Sequence, residues 1–84
     1  MSKRSSISVR QVIKLSVYGK DFKRARYTAN LSLWKISQFM KLKGYTYYPM
    51  LLHRLEKQES FTLELTEMYD LLDCLNVTIS LIEK

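Results

Sequence analysis

Between Ile7 and Val17 the odd positions read Ile7, Val9, Gln11, Ile13, Leu15 and Val17, and the even ones Ser8, Arg10, Val12, Lys14 and Ser16, with Tyr18 next. This near-strict alternation, rich in β-branched residues, predicts a strand. A helix through Val9, Val12, Ile13 and Val17 is the competing reading. A single strand leaves backbone donors and acceptors unpaired, so it needs a neighbour. Phe61–Leu65 (Phe-Thr-Leu-Glu-Leu) is the one other strand-like stretch. The alternative neighbour is the same strand of a second subunit.

From Gly19 onward the period changes to that of a helix. Phe22, Ala25, Arg26 and Ala29 share one face, Lys20, Lys23 and Arg24 take the other, and Asn30 suits a helix end. Ser32 can cap a second helix whose apolar face is Leu33, Ile36, Phe39 and either Met40 or the stem of Lys43. Gly44 suits the left-handed position that closes it. Pro49 belongs in the first turn of a third helix, with Tyr48 outside it, because a residue before proline avoids the α region. That helix carries Leu51, Leu52 and Leu55. A fourth is predicted from Leu65, Met68, Leu72 and Leu75, which turns Glu64, Glu67, Asp70 and Asp73 outward. Thr78 can cap a last short turn through Ile79, Leu81 and Ile82. Trp34 is expected at the edge of the core.

Size narrows this to one domain. Eighty-four residues, 46% of them hydrophobic, support a single small core, and dimerisation would add buried surface. Cys74 stands alone, which fits a reducing cytoplasm and excludes an internal disulfide framework. The longest run free of Asp, Glu, Lys and Arg, Gly44 to His53, contains Pro49 and is too short for a membrane span. Arg10 and Lys14 interrupt the apolar block that a signal peptide would need.

Charge is distributed unevenly. Residues 1–43 hold eleven basic residues against Asp21 alone, a net +10. Residues 44–84 hold three basic residues against seven acids, a net −4, and together they give the whole-chain +6. A basic surface concentrated in one part of a small protein is the footprint of a polyanion-binding face. Catalytic chemistry finds no foothold. His53 is the only histidine, Cys74 is distant, and zinc would require three or four ligands. There is no glycine-rich phosphate loop and no nucleophile with an identifiable base, so neither an enzyme, a metal nor a cofactor is expected.

The helical body resembles the Cro/repressor type of helix-turn-helix domain found in phage and bacterial transcriptional regulators. The resemblance covers Gly19 to Ile82. Gly19-Lys-Asp-Phe22-Lys-Arg-Ala25-Arg26 looks like the family's first helix, and Asn30-Leu31-Ser32 like the turn into its second. Ile36-Ser37 matches that helix's large-then-small pair. Leu52-His53-Arg54-Leu55-Glu56 is similar to the end of the recognition helix, and Leu71-Leu72-Asp73-Cys74-Leu75-Asn76-Val77-Thr78 to the closing helix and its turn. Three positions depart from the pattern. Leu33 stands where a polar residue usually grips phosphate, Gln58 replaces the glycine after the recognition helix, and the link between the second and third helices is longer than the family's tight turn.

The resemblance implies a mainly α domain of four to five helices over residues 19–84, and the alternation before it predicts a strand-like arm within residues 1–18 that joins two subunits. It implies a sequence-specific transcriptional regulator, cytoplasmic and homodimeric, whose partner is double-stranded DNA. The second helix of such a motif enters the major groove with its N-terminal residues on base edges. Tyr45, Thr46, Tyr47, Tyr48, Met50 and His53 would lie there. Lys41, Lys43 and Arg54 would hold phosphates, and for Arg54 an intrahelical pairing with Gln58 or Glu59 is the alternative. The tyrosines could instead pack against the body or a partner protein. The rival function is a helix-turn-helix-like modulator that binds a repressor or other regulatory protein and does not itself read DNA.

Overall fold

The computed structural model describes residues 6–77. In chain order these form β1 (Lys14–Tyr18), α1 (Gly19–Thr28), α2 (Leu33–Leu42), α3 (Pro49–Lys57), β2 (Ser60–Glu64) and α4 (Leu65–Cys74). They make a mainly helical domain with one two-stranded antiparallel sheet. The turn expected after Thr78 lies outside the described residues, as does the end of the stretch resembling the closing helix.

Of the two neighbours open to the N-terminal strand, β1 takes the one within its own chain. Lys14 pairs with Glu64, Leu15 with Leu63, Val17 with Phe61 and Tyr18 with Ser60. One further bond, from Leu65 N–H to Ile13 O at 2.8 Å, extends the ladder before α4 turns the backbone away. Regular strand is therefore confined to the last part of the predicted 7–17 stretch, and residues 6–13 have no regular secondary structure. Leu15, Val17, Phe61 and Leu63 face the core, while Lys14, Ser16, Ser60 and Thr62 face water. On that outer face the Ser16 and Thr62 hydroxyls lie 2.6 Å apart.

Local signals set the helix ends. Asn30 adopts φ 56° just past α1, Ser32 Oγ accepts from Lys35 N–H at 3.1 Å, Gly44 adopts φ 94° after α2, and Pro49 opens α3 from an extended Tyr48. Gly19 is required by a close approach. Its N–H donates to Glu59 O at 3.1 Å, and a Cβ there would stand 2.2 Å from Gln58 O. The start of α1 therefore presses directly on the carbonyl end of α3.

The core is Phe22, Ile36, Met40, Tyr47, Leu52, Phe61, Met68, Leu71 and Leu75. Phe22 meets Phe61 edge-on with ring centroids 5.6 Å apart, tying α1 to the sheet. Phe39 and Leu51, expected on apolar helix faces, are exposed, and two further expectations change. The fully buried stripe of α4 is Met68, Leu71 and Leu75, with Leu65 and Leu72 only part-buried beside it. Trp34 is 59% exposed, on the surface and not at the core edge. Among the described residues no helix is long and apolar enough to cross a membrane.

Candidate nucleic-acid interface

Helix α3 buries Leu52 and Glu56. At 100° per residue this leaves Met50, His53, Arg54 and Lys57 as one solvent stripe, spaced i, i+3, i+4 and i+7, and all four are exposed. Glu56, the helix's one acid, points inward. It receives a two-pronged contact from Arg26 of α1, through Nε and, at 3.2 Å, through Nη2. Arg26 Nη1 also donates to Leu31 O at 3.0 Å, so one guanidinium joins α1, the turn before α2 and the end of α3. Hydrogen bonding to Glu56 raises the affinity of Arg26 for its proton. The internal pair strips the α3 surface of negative charge. Arg54 makes no ion pair with a described residue; the intrahelical partner considered for it is not engaged.

The linker from Lys43 to Tyr48 does not present its aromatics uniformly. Extended backbone sends alternate side chains to opposite sides, and here Tyr45 and Tyr47 turn inward while Thr46 and Tyr48 turn out. Tyr47 belongs to the core and its hydroxyl donates to Glu67. Tyr45 donates to Asp70 at 2.9 Å, and the two rings lie 6.0 Å apart. Burial, then the bond to Glu67, pushes the Tyr47 hydroxyl far above the usual tyrosine range, and the bond to Asp70 raises Tyr45. Lys43 Nζ lies 3.7 Å from Asp70 and 3.8 Å from Asp73. Ser37 Oγ donates to Tyr47 O, pinning the linker to α2 as well.

Two corrections follow for the sequence reading. The acids of α4 are not all outward: Glu67 and Asp70 face the linker and hold it. The hydroxyls of Tyr47 and Tyr45, expected at base edges, are bonded to Glu67 and Asp70 of the body, and Lys43, expected at phosphate, lies beside two carboxylates. Thr46, Tyr48, Met50, His53, Arg54 and Lys41 remain exposed. On α2, Trp34, Gln38 and Lys41 form a stripe that faces Thr46 and Tyr48 across a cleft of about 410 Å³.

Lys57 was absent from the sequence-derived set, although its place one turn after Arg54 on the α3 stripe was legible from helical spacing. Lys20 of α1 lines the same depression as Lys57, together with Glu56 and Glu59. Lys23 and Tyr27 continue the exposed face of α1, with the Lys23 ammonium 5.9 Å from the Tyr27 ring centroid. Cys74 is part-buried, donates to Asp70 O at 3.3 Å, and burial raises its thiol. Among the described residues no group of three or more His, Cys, Asp or Glu side chains is placed to hold a metal ion. Comparison of the chain with protein-family models, with curated proteins and with solved structures finds no match.

Proposed function

We propose that the chain is a DNA-binding transcriptional regulator of the Cro/repressor helix-turn-helix type, acting as a homodimer in the cytoplasm. The observation that carries this reading is the α3 solvent stripe. Met50, His53, Arg54 and Lys57 project together, and the only carboxylate of the helix is withdrawn onto Arg26. Such a helix can approach a phosphate-lined groove without like-charge repulsion. Its N-terminal residues, Tyr48 and Met50 with Thr46 before them, would meet base edges, while Arg54, Lys57 and Lys41 would contact phosphates. The Arg26–Glu56 pair joins the two stretches that resemble the family's first and recognition helices, which supports the same reading.

Homodimerisation rests on the arm. Ile7 and Val9 are 83% and 87% exposed, an arrangement a second copy would relieve by burying them. Two copies related by a twofold axis would carry two α3 stripes to successive half-sites.

The test is fluorescence anisotropy with genomic duplex fragments across a salt series. Binding should weaken steeply with salt, and Arg54→Ala and Lys57→Ala should each lower the slope of log affinity against log salt by about 0.9. A flat salt dependence, or no binding at low salt, rejects DNA binding. It favours the second reading, a modulator that binds another regulatory protein. The exposed Trp34, Tyr48 and Met50 suit that role, because interfaces are enriched in aromatic residues and methionine.

A further inference from the structure

We propose that the cleft between α2 and the 43–48 linker is a stacking site for unpaired bases of single-stranded nucleic acid; it adjoins the α3 stripe and shares Thr46, Tyr48 and Lys41 with the duplex contacts proposed above, but not Arg54 or Lys57. Four aromatic residues line it, and two of them are exposed, Trp34 from α2 and Tyr48 from the linker, at 59% and 66%. Neither stacks on another ring; the ring pairs among the described residues are Phe22–Phe61 and Tyr45–Tyr47. Both rings therefore keep free faces.

The rest of the lining suits a nucleotide. Gln38 and Thr46 offer hydrogen-bond donors and acceptors, and Lys41 stands at the cleft with no carboxylate partner among the described residues. No Asp or Glu is among the lining residues, although the chain carries eight acids. Glu67 and Asp70, which contact the linker, are occupied by the hydroxyls of Tyr47 and Tyr45. Aromatic faces beside an uncompensated cation are the combination by which proteins hold single strands, the rings taking bases and the cation the backbone. The cleft's walls are also fixed before any ligand arrives. Ser37 donates to Tyr47 O across the cleft floor, and the linker is anchored to α4 by both inward tyrosines and by Lys43. A preformed site avoids the ordering cost that a mobile aromatic loop would incur on binding.

Trp34 is the only tryptophan in the chain, so its emission reports on this cleft alone. The full chain is titrated with a short oligo(dT), with a duplex of equal length and with a proline-rich peptide. Oligo(dT) should quench Trp34 saturably, and more weakly as salt rises. Tyr48→Ala should weaken oligo(dT) binding about 5- to 150-fold, the loss expected for one stacked base. Tyr48→Phe, which keeps the ring, should bind like the parent, and circular dichroism of both variants checks the fold. Arg54→Ala combined with Lys57→Ala should leave oligo(dT) binding within about twofold while weakening the duplex. Loss of duplex binding therefore tests the regulator reading, and loss of oligo(dT) quenching tests this one. Absence of quenching by oligo(dT) overturns the stacking site, as does a Tyr48→Phe loss equal to that of alanine. Quenching by the proline-rich peptide alone also overturns it and assigns the cleft to a peptide.

Discussion

The contact most exposed to a single substitution is the Arg26–Glu56 pair. The two side chains are 11% and 2% exposed, so both charges have been taken largely out of water. At the 3.2 Å of the Nη2–Oε1 contact and an effective dielectric of about 20, the attraction is about 5 kcal/mol, of the same order as the cost of desolvating the ions. The intact pair is therefore close to energetically neutral, and the consequence of breaking it is not. Glu56→Ala leaves the guanidinium with Leu31 O, 3.0 Å away, as its remaining acceptor and no compensating charge. Removal of one member of such a pair costs about 3 to 5 kcal/mol. A chain of 84 residues has a total stability of roughly 4 to 13 kcal/mol, so the variant's loss should be at least about a quarter of the total. Its thermal midpoint should fall by at least about 12 °C. Circular dichroism during thermal and urea unfolding measures both quantities. The double change Arg26→Met with Glu56→Leu should recover most of the loss, because it removes the stranded charge along with its partner. A Glu56→Ala cost below about 1 kcal/mol, the level of an exposed ion pair, would refute the argument that burial makes this contact critical.

The inward tyrosines predict a stability loss at high pH. The folded state raises the Tyr47 and Tyr45 hydroxyls above the unfolded value of about 10, so it binds more protons than the unfolded chain above that pH. Stability contributed by these groups is complete below about pH 10 and declines as pH rises further. Tyr47→Phe should lower stability at pH 7 by about 1 to 3 kcal/mol, through the unpaired Glu67, and flatten the alkaline decline. Tyrosinate absorbance should show Tyr47 and Tyr45 resisting ionisation in the folded parent and Tyr45 in the variant; a parent titration unchanged by Tyr47→Phe, apart from the loss of one ordinary tyrosine, would contradict this. Gly19→Ala should destabilise by more than about 1 kcal/mol in urea unfolding, because its Cβ would meet three backbone carbonyl oxygens within 2.8 Å. Removing residues 1–12 spares β1 and the Ile13 O–Leu65 N bond, so the helical signal should persist. Light scattering on that truncated chain tests the dimer: a dimer mass kept across dilution separates the arm from assembly, and a monomer mass assigns assembly to the arm.

The elements of this fold were legible where short-range chemistry sets them. Ser32, Gly44 and Pro49 mark helix ends through their own hydroxyl, missing Cβ and locked φ, and each does so here. The Lys14–Tyr18 strand likewise follows from side-chain alternation that needs no distant partner to be recognised. What the strand pairs with could not be decided locally, because Phe61–Leu65 and a twofold mate offer the same backbone groups. Tertiary structure chose the intramolecular neighbour and cut the strand to the length that β2 can match. The same division governs the candidate interface. Helical spacing alone places Met50, His53, Arg54 and Lys57 on one stripe. That Glu56 leaves this surface depends on Arg26, thirty positions away, and Tyr45 and Tyr47 turn inward because α4 sets Asp70 and Glu67 within reach of their hydroxyls. Period and composition count the charged and aromatic residues; only packing determines which of them neutralise one another inside and which are left facing a partner.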